Sequence, residues 1–122
     1  AGVCVGLAGG SKYPAAVVAV AVAVACMLRG GKWRDQQLLS KAWIERARTP
    51  TPQNAVYGYM NWFLNTDREL VPSIPENHFY HGGAGVNRVW VMPELDTVVV
   101  VGWISGDHFD GFAKRMLAAV SN

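Results

Sequence analysis

Four valines in a row, Val98 to Val101, constrain this chain more than any other feature. A β-branched run that is apolar on both of its alternating faces fits a central strand covered on both sides. The strand extends over Thr97–Ile104. Pro93-Glu94-Leu95-Asp96 precedes it as a turn, and a second strand begins at Phe79-Tyr80 and runs through Gly82-Gly83-Ala84-Gly85 into Val86–Met92. Two strands joined by so short a turn form an antiparallel hairpin. Beyond them Phe109, Phe112, Ala113, Met116, Leu117 and Val120 recur at helical spacing, with Asp107 or Asp110 near the start. This is an amphipathic helix, and one such helix covers only one face of a sheet. The pattern therefore predicts a sheet left half-covered by these residues, within something larger.

Upstream, aromatic alternation over Tyr57–Leu64 predicts another strand, and the two prolines of Asp67–Asn77 predict a loop. Leu38, Leu39, Ala42, Trp43 and Ala47 fall near one face of a helix over Leu38–Arg48, with Ser40 as N-cap and Pro50 and Pro52 preventing continuation. Arg29-Gly30-Gly31-Lys32 closes a preceding helix by the usual glycine C-cap. It is not a phosphate loop, because neither the glycine spacing nor the following hydroxyl residue is there. Every residue from Ala15 to Ala25 is Ala or Val. The uncharged stretch reaches only Leu28, short of the roughly 20 residues that span a bilayer. It reads as a helix buried all round. A secretion signal starting near Lys12, with Ala23-Val24-Ala25-Cys26 as a poor lipoprotein-type cleavage site, is the other reading. The fold class is thus α+β, an antiparallel sheet of three strands flanked by helices. At 122 residues the chain is one domain's worth, a single partial domain with 1–28 atypical and 29–122 of ordinary globular character.

A formal charge of +2 with interspersed signs argues against nucleic acid, which would call for a basic stripe. Two cysteines, Cys4 and Cys26, are too few for a disulfide framework and lack metal spacing. His78 and His81 lie three apart on one strand and so point to opposite faces, and His108 sits in a Gly/Asp loop; no metal or other cofactor is expected. Neither Ser-x-x-Lys nor Gly-x-Ser-x-Gly surrounds any of Ser11, Ser40, Ser73, Ser105 or Ser121. The most suggestive piece is His81-Gly82-Gly83-Ala84-Gly85. Glycines inside a strand mark close approach of a ligand or another backbone, and a strand edge there can aim an N–H at a developing oxyanion. A bulge or tight sheet packing is the structural alternative.

These residues also resemble a known family. Leu28-Arg29-Gly30-Gly31-Lys32-Trp33, Gln37-Leu38-Leu39-Ser40 with Trp43, Tyr57-Gly58-Tyr59 with Trp62, His81-Gly82-Gly83-Ala84-Gly85, and Val91 through Pro93-Glu94-Leu95-Asp96 to Val98-Val99-Val100 follow in order. Together they are similar to the C-terminal third of the serine β-lactamase-like hydrolases, over roughly Met27 to Val120. That group includes class C β-lactamases, penicillin-binding-protein-like enzymes, esterases and 6-aminohexanoate-dimer-type amidases. The resemblance implies a β-lactamase/transpeptidase-like fold and a serine hydrolase that acts on an ester, amide or β-lactam carbonyl through an acyl-enzyme. His81-Gly82-Gly83 stands where the family has its third motif. It implies His81 beside the substrate carboxylate or the proton relay, Gly82 and Gly83 against the substrate, and the Ala84 N–H in the oxyanion hole. Gly82 departs from the family's hydroxyl residue, which favours an esterase or amidase over a true β-lactamase. The nucleophile motif Ser-x-x-Lys does not occur, so an N-terminal portion of the same protein is the implied partner and the chain is inactive alone. Tyr59-Met60-Asn61 spells the family's Tyr-x-Asn at a place where the family does not put it, and is read as coincidence. A non-catalytic binding or structural module derived from the same fold is the alternative. The compartment stays open between the cytoplasm and a periplasmic or secreted bacterial setting.

Overall fold

The computed structural model describes residues 24–59 and 62–121. The Ala/Val run up to residue 23, Lys12, and residues 60 and 61 of the Tyr-x-Asn spelling lie outside them. The fold is α+β, with a two-stranded sheet and a five-stranded antiparallel sheet. The small sheet pairs β1 (Lys32–Trp33) with β2 (Gln36–Gln37). The large one is a meander of β3 (Tyr57–Gly58), β4 (Trp62–Leu64), β5 (Phe79–Gly83), β6 (Asn87–Met92) and β7 (Thr97–Val101), in that spatial order.

Three expectations are corrected here. The sheet has five strands rather than three, because Tyr57–Leu64 divides into β3 and β4 and Phe79–Met92 into β5 and β6. The strand drawn from Phe79 to Met92 is a hairpin: Gly83 pairs with Asn87, and Ala84, Gly85 and Val86 turn between them. Gly85 (φ 74) and Val86 (φ 54) are both left-handed within this three-residue connection. The glycines thus reverse the chain instead of crossing a continuous strand. Finally, among the described residues β7 stands at the edge of the sheet, paired only with β6, where a central place was expected.

The sheet is also covered on both faces, which corrects the half-covered expectation. Successive β residues alternate sides, so Phe79, Val91 and Val98 meet one core with Leu64, Ala47, Val24 and Ala25. Tyr80, Trp90, Met92, Val99 and Val101 meet the other, with Val71, Ile74, Phe109 and Ala113. The first core is closed by residues 24–28, which are helical, and by the helix Lys41–Ala47. Residues 24–28 end as the glycines require: Gly30 (φ 64) and Gly31 (φ 84) follow, and the Gly31 N–H donates to the Cys26 carbonyl (3.0 Å). A Cβ on Gly31 would stand 2.1 Å from the Leu39 carbonyl oxygen, so nothing larger fits. The Lys41–Ala47 helix is shorter than the expected Leu38–Arg48, but its N-cap is Ser40, whose hydroxyl accepts from the Trp43 N–H (3.2 Å). The C-terminal helix, Gly106–Val120, closes the second core through Phe109 and Ala113. Beneath it the loop after β4 is held by Asn65, which is buried. Its amide donates to the Val71, Ile74 and Pro75 carbonyls (3.1, 3.3 and 3.2 Å) and its oxygen accepts from the Val71 N–H (2.9 Å).

Candidate active site

The segment His81-Gly82-Gly83 lies on β5, the middle strand of the large sheet, paired on one side with β4 and on the other with β6. Two strand neighbours fix its backbone, so a group it presents is held without further cost in entropy. Gly82 faces the second core's side of the sheet, opposite Arg88. A Cβ at Gly82 would stand 3.0 Å from Phe63 Cε2, so the aromatic neighbour favours glycine there. The Phe63 ring stacks on Tyr80 (4.9 Å, 11°) and receives the edge of Tyr57 (5.5 Å, 84°). The Arg88 guanidinium lies over Tyr80 (5.0 Å) and Phe109 (4.2 Å). Such contacts orient a cation while leaving its outer edge available. Burial pushes the Tyr80 phenol above its ordinary pKa, and Arg88 partly offsets that.

Gly82, Gly83 and Ala84 meet Phe63, Tyr80 and Arg88 around one open concavity of about 430 Å³. Three of the four residues singled out in the sequence are therefore brought together. Ala84 stands in the hairpin turn, not on the strand, and its carbonyl accepts from the Asn87 side-chain amide (2.7 Å). Val86, next in the turn, is a β-branched residue in the left-handed region, a conformation such residues rarely adopt. Trp103 is also left-handed (φ 58), and its ring edge comes within 3.3 Å of where a Gly85 Cβ would be.

The fourth residue, His81, does not join them. It points to the other side of β5, cross-strand from Val89, which packs on the first core. Burial lowers its pKa from the ordinary 6.5, so the imidazole is neutral at pH 7.

His78 and His81 do not share a site. His78 precedes β5, and its buried side chain meets the Glu94 carboxylate through Nε2, while Asn77 donates to the same carboxylate (2.9 Å). Partial burial opposes ionisation of Glu94, but hydrogen bonds from His78, its own backbone and Asn77 hold its pKa below the usual carboxylate value. Among the described residues no group of three or more His, Cys, Asp or Glu side chains is placed to hold a metal ion.

Arg88, Phe63 and Tyr80 are absent from the motif reading, and the signal for them was the hairpin register. Once residues 84–86 are read as a turn, Gly82 must face Arg88. The pair Ser105–His108 was missed too. Ser105 stands at the N-cap position of the C-terminal helix without a side-chain cap hydrogen bond, and its hydroxyl instead lies 2.7 Å from His108 Nδ1.

No family model, curated protein or solved structure matches this chain.

Proposed function

We propose that this chain is the C-terminal part of a serine hydrolase of the β-lactamase-like group, which cleaves an ester or amide carbonyl through an acyl-enzyme. The observation that carries the reading is the opening of Gly82, Gly83 and Ala84, with no side chain beyond a methyl, onto a concavity bordered by Arg88 and two aromatic rings. A carbonyl can approach the backbone closely only where side chains leave room, and a fixed N–H aimed at it stabilises the oxyanion. In this reading Ala84 supplies one oxyanion donor from the head of the hairpin. Gly82 and Gly83 keep the strand clear for the substrate. His81, held neutral by burial, faces the other side of β5, so in this reading it acts only through the strand it shares with Gly82 and Gly83. The serine that is acylated and its base come from a preceding portion of the same protein, since no Ser-x-x-Lys stands in these residues.

The test is acylation kinetics of the protein carrying both portions, with a chromogenic ester. Ala84→Pro removes the donor and is expected to lower the acylation rate about 100- to 1000-fold, the usual loss for one oxyanion-hole N–H. His81→Ala is expected to slow it less. An Ala84→Pro protein that folds and acylates at the normal rate removes residue 84 from the mechanism. Ligand binding with no turnover in the unaltered protein selects the non-catalytic module instead.

A further inference from the structure

Among the described residues the buried polar side chains are Asn65 and His78. Asn65 is fully engaged, because its amide nitrogen and oxygen both hold the loop after β4. His78 is engaged at one ring nitrogen only. Its Nε2 meets the Glu94 carboxylate, while Nδ1 is buried without a hydrogen-bond partner. The indole Nε1 of the fully buried Trp90 is without one as well. The two rings are neighbours, with centroids 5.6 Å apart and planes tilted by 54°. They come from different elements, His78 from the end of the loop before β5 and Trp90 from within β6.

The needs of these two atoms are complementary. Hydrogen bonds hold the Glu94 carboxyl below the usual pKa, and an ionised carboxylate only accepts, so Nε2 of His78 carries the hydrogen between them. Nδ1 then presents a lone pair, whereas the indole N–H only donates. Yet no hydrogen bond joins the two directly. The other buried residues of the second core are Val71, Ile74, Met92, Phe109 and Ala113, with no side-chain oxygen or nitrogen to offer either atom. Buried polar groups left unpaired cost free energy, and protein interiors satisfy them with internal waters that bond to two or more such groups.

We propose that a water molecule is bound inside the domain between Trp90 and His78, accepting from the indole Nε1–H and donating to the imidazole Nδ1. Water fits because one small, uncharged group must accept and donate at once in a place closed to solvent. The chain of bonds from Trp90 through water and His78 to Glu94 then runs from the core to the turn Pro93–Leu95. It ties the start of β5 to β6 and holds the His78 ring with Nε2 toward the carboxylate. Both atoms are shut off from the outside, so a portion of the protein that packs against this domain reaches neither. The inference is independent of the proposed hydrolase activity, because it uses no residue of the Gly82–Ala84 concavity.

The experiment is nuclear magnetic resonance at neutral pH on the nitrogen-labelled protein that carries this chain with its preceding portion. The Trp90 indole is assigned through its contact with the Phe109 ring. Water-selective NOE and ROE spectra are expected to show a cross-peak at the indole proton with opposite signs, the mark of a bound water, where equal signs mark proton exchange. A long-range nitrogen–proton spectrum is expected to place the His78 hydrogen on Nε2. Trp90→Phe keeps a ring and removes the donor, so it should shift the Nδ1 resonance more than the Nε2 resonance. Absence of the cross-peak, or one of exchange sign alone, overturns the proposal. So does a hydrogen on Nδ1, or a coupling from the indole N–H straight to Nδ1, which would mean a direct hydrogen bond. An Nδ1 resonance indifferent to Trp90→Phe overturns it too, and if that variant does not fold, the spectra of the unaltered protein decide by themselves.

Discussion

On one face of the sheet Phe79, Val91 and Val98 meet small residues: Val24 and Ala25 from the helical end at 24–28, and Ala47 from a seven-residue helix. On the other, Trp90 and Met92 meet Phe109 from a fifteen-residue helix, with Val71 and Ile74 filling in from the loop that Asn65 ties down. Large rings on a long helix bury more apolar surface than the small side chains that meet the first face, so the second face carries more of the stability. It also carries the candidate site. Phe63, Tyr80 and Arg88 border the concavity, and Arg88 is steadied by Phe109. The first face carries His81, which points away from the concavity. The chain has thus put its rigid packing under the residues that would do chemistry, and its lighter packing on the far side.

The largest way to break this contrast is Trp90→Ala. The ring is fully buried on the second face, and its loss should cost about 3–5 kcal/mol. Val98→Ala on the first face removes two methyl groups and should cost about 1.6 kcal/mol. Urea denaturation of both variants measures the difference, and equal losses would abolish the ranking of the faces. Asn65→Ala comes next. It leaves several buried backbone groups without partners, so on the order of 3 kcal/mol is expected, with hydrogen exchange accelerating first in residues 66–75.

How far these features can be read from the sequence follows from the same contrast. Phe109, Phe112, Ala113, Met116 and Leu117 repeat at helical spacing, so the C-terminal helix was legible to within a few residues of its start. The Ser40 cap was legible from chemistry alone. The cover of the first face was not, because a run of alanines and valines shows no polar side and no period. The strand count failed for a related reason. Glycine inside an extended pattern fits a bulge, a ligand approach or a turn, and only the left-handed Gly85-Val86 pair selects the turn. The candidate site was half legible: Gly82, Gly83 and Ala84 stand together, but Arg88 and the rings enter through register, which the motif does not contain.

Two smaller predictions sharpen the comparison. Val86→Gly relieves a left-handed β-branched residue at the lip of the concavity, and should raise stability by up to about 1 kcal/mol. Loss of stability there would mean that Val86 packs more than its exposure suggests. The last effect is on the first face. Burial lowers the pKa of His81 in the folded state below its unfolded value of 6.5. The unfolded chain therefore binds the extra proton first, and the stabilising contribution is complete above about pH 6.5 and lost as pH falls below it. Glu94 is also held low, but its loss falls below its ordinary value of 4.5, outside the window from pH 5 to 7.5. His81→Gln should flatten the stability profile in that window, as read from urea midpoints. An unchanged slope would assign it to other groups.

The most direct measurement of the central claim is the site of a fluorophosphonate label, mapped by peptide mass spectrometry on the protein that carries this chain together with its preceding portion. The account predicts stoichiometric labelling at one serine ahead of residue 1, slowed by Ala84→Pro, with this chain by itself unlabelled. Labelling at Ser11, Ser40, Ser73, Ser105 or Ser121, or a label indifferent to Ala84→Pro, would contradict it.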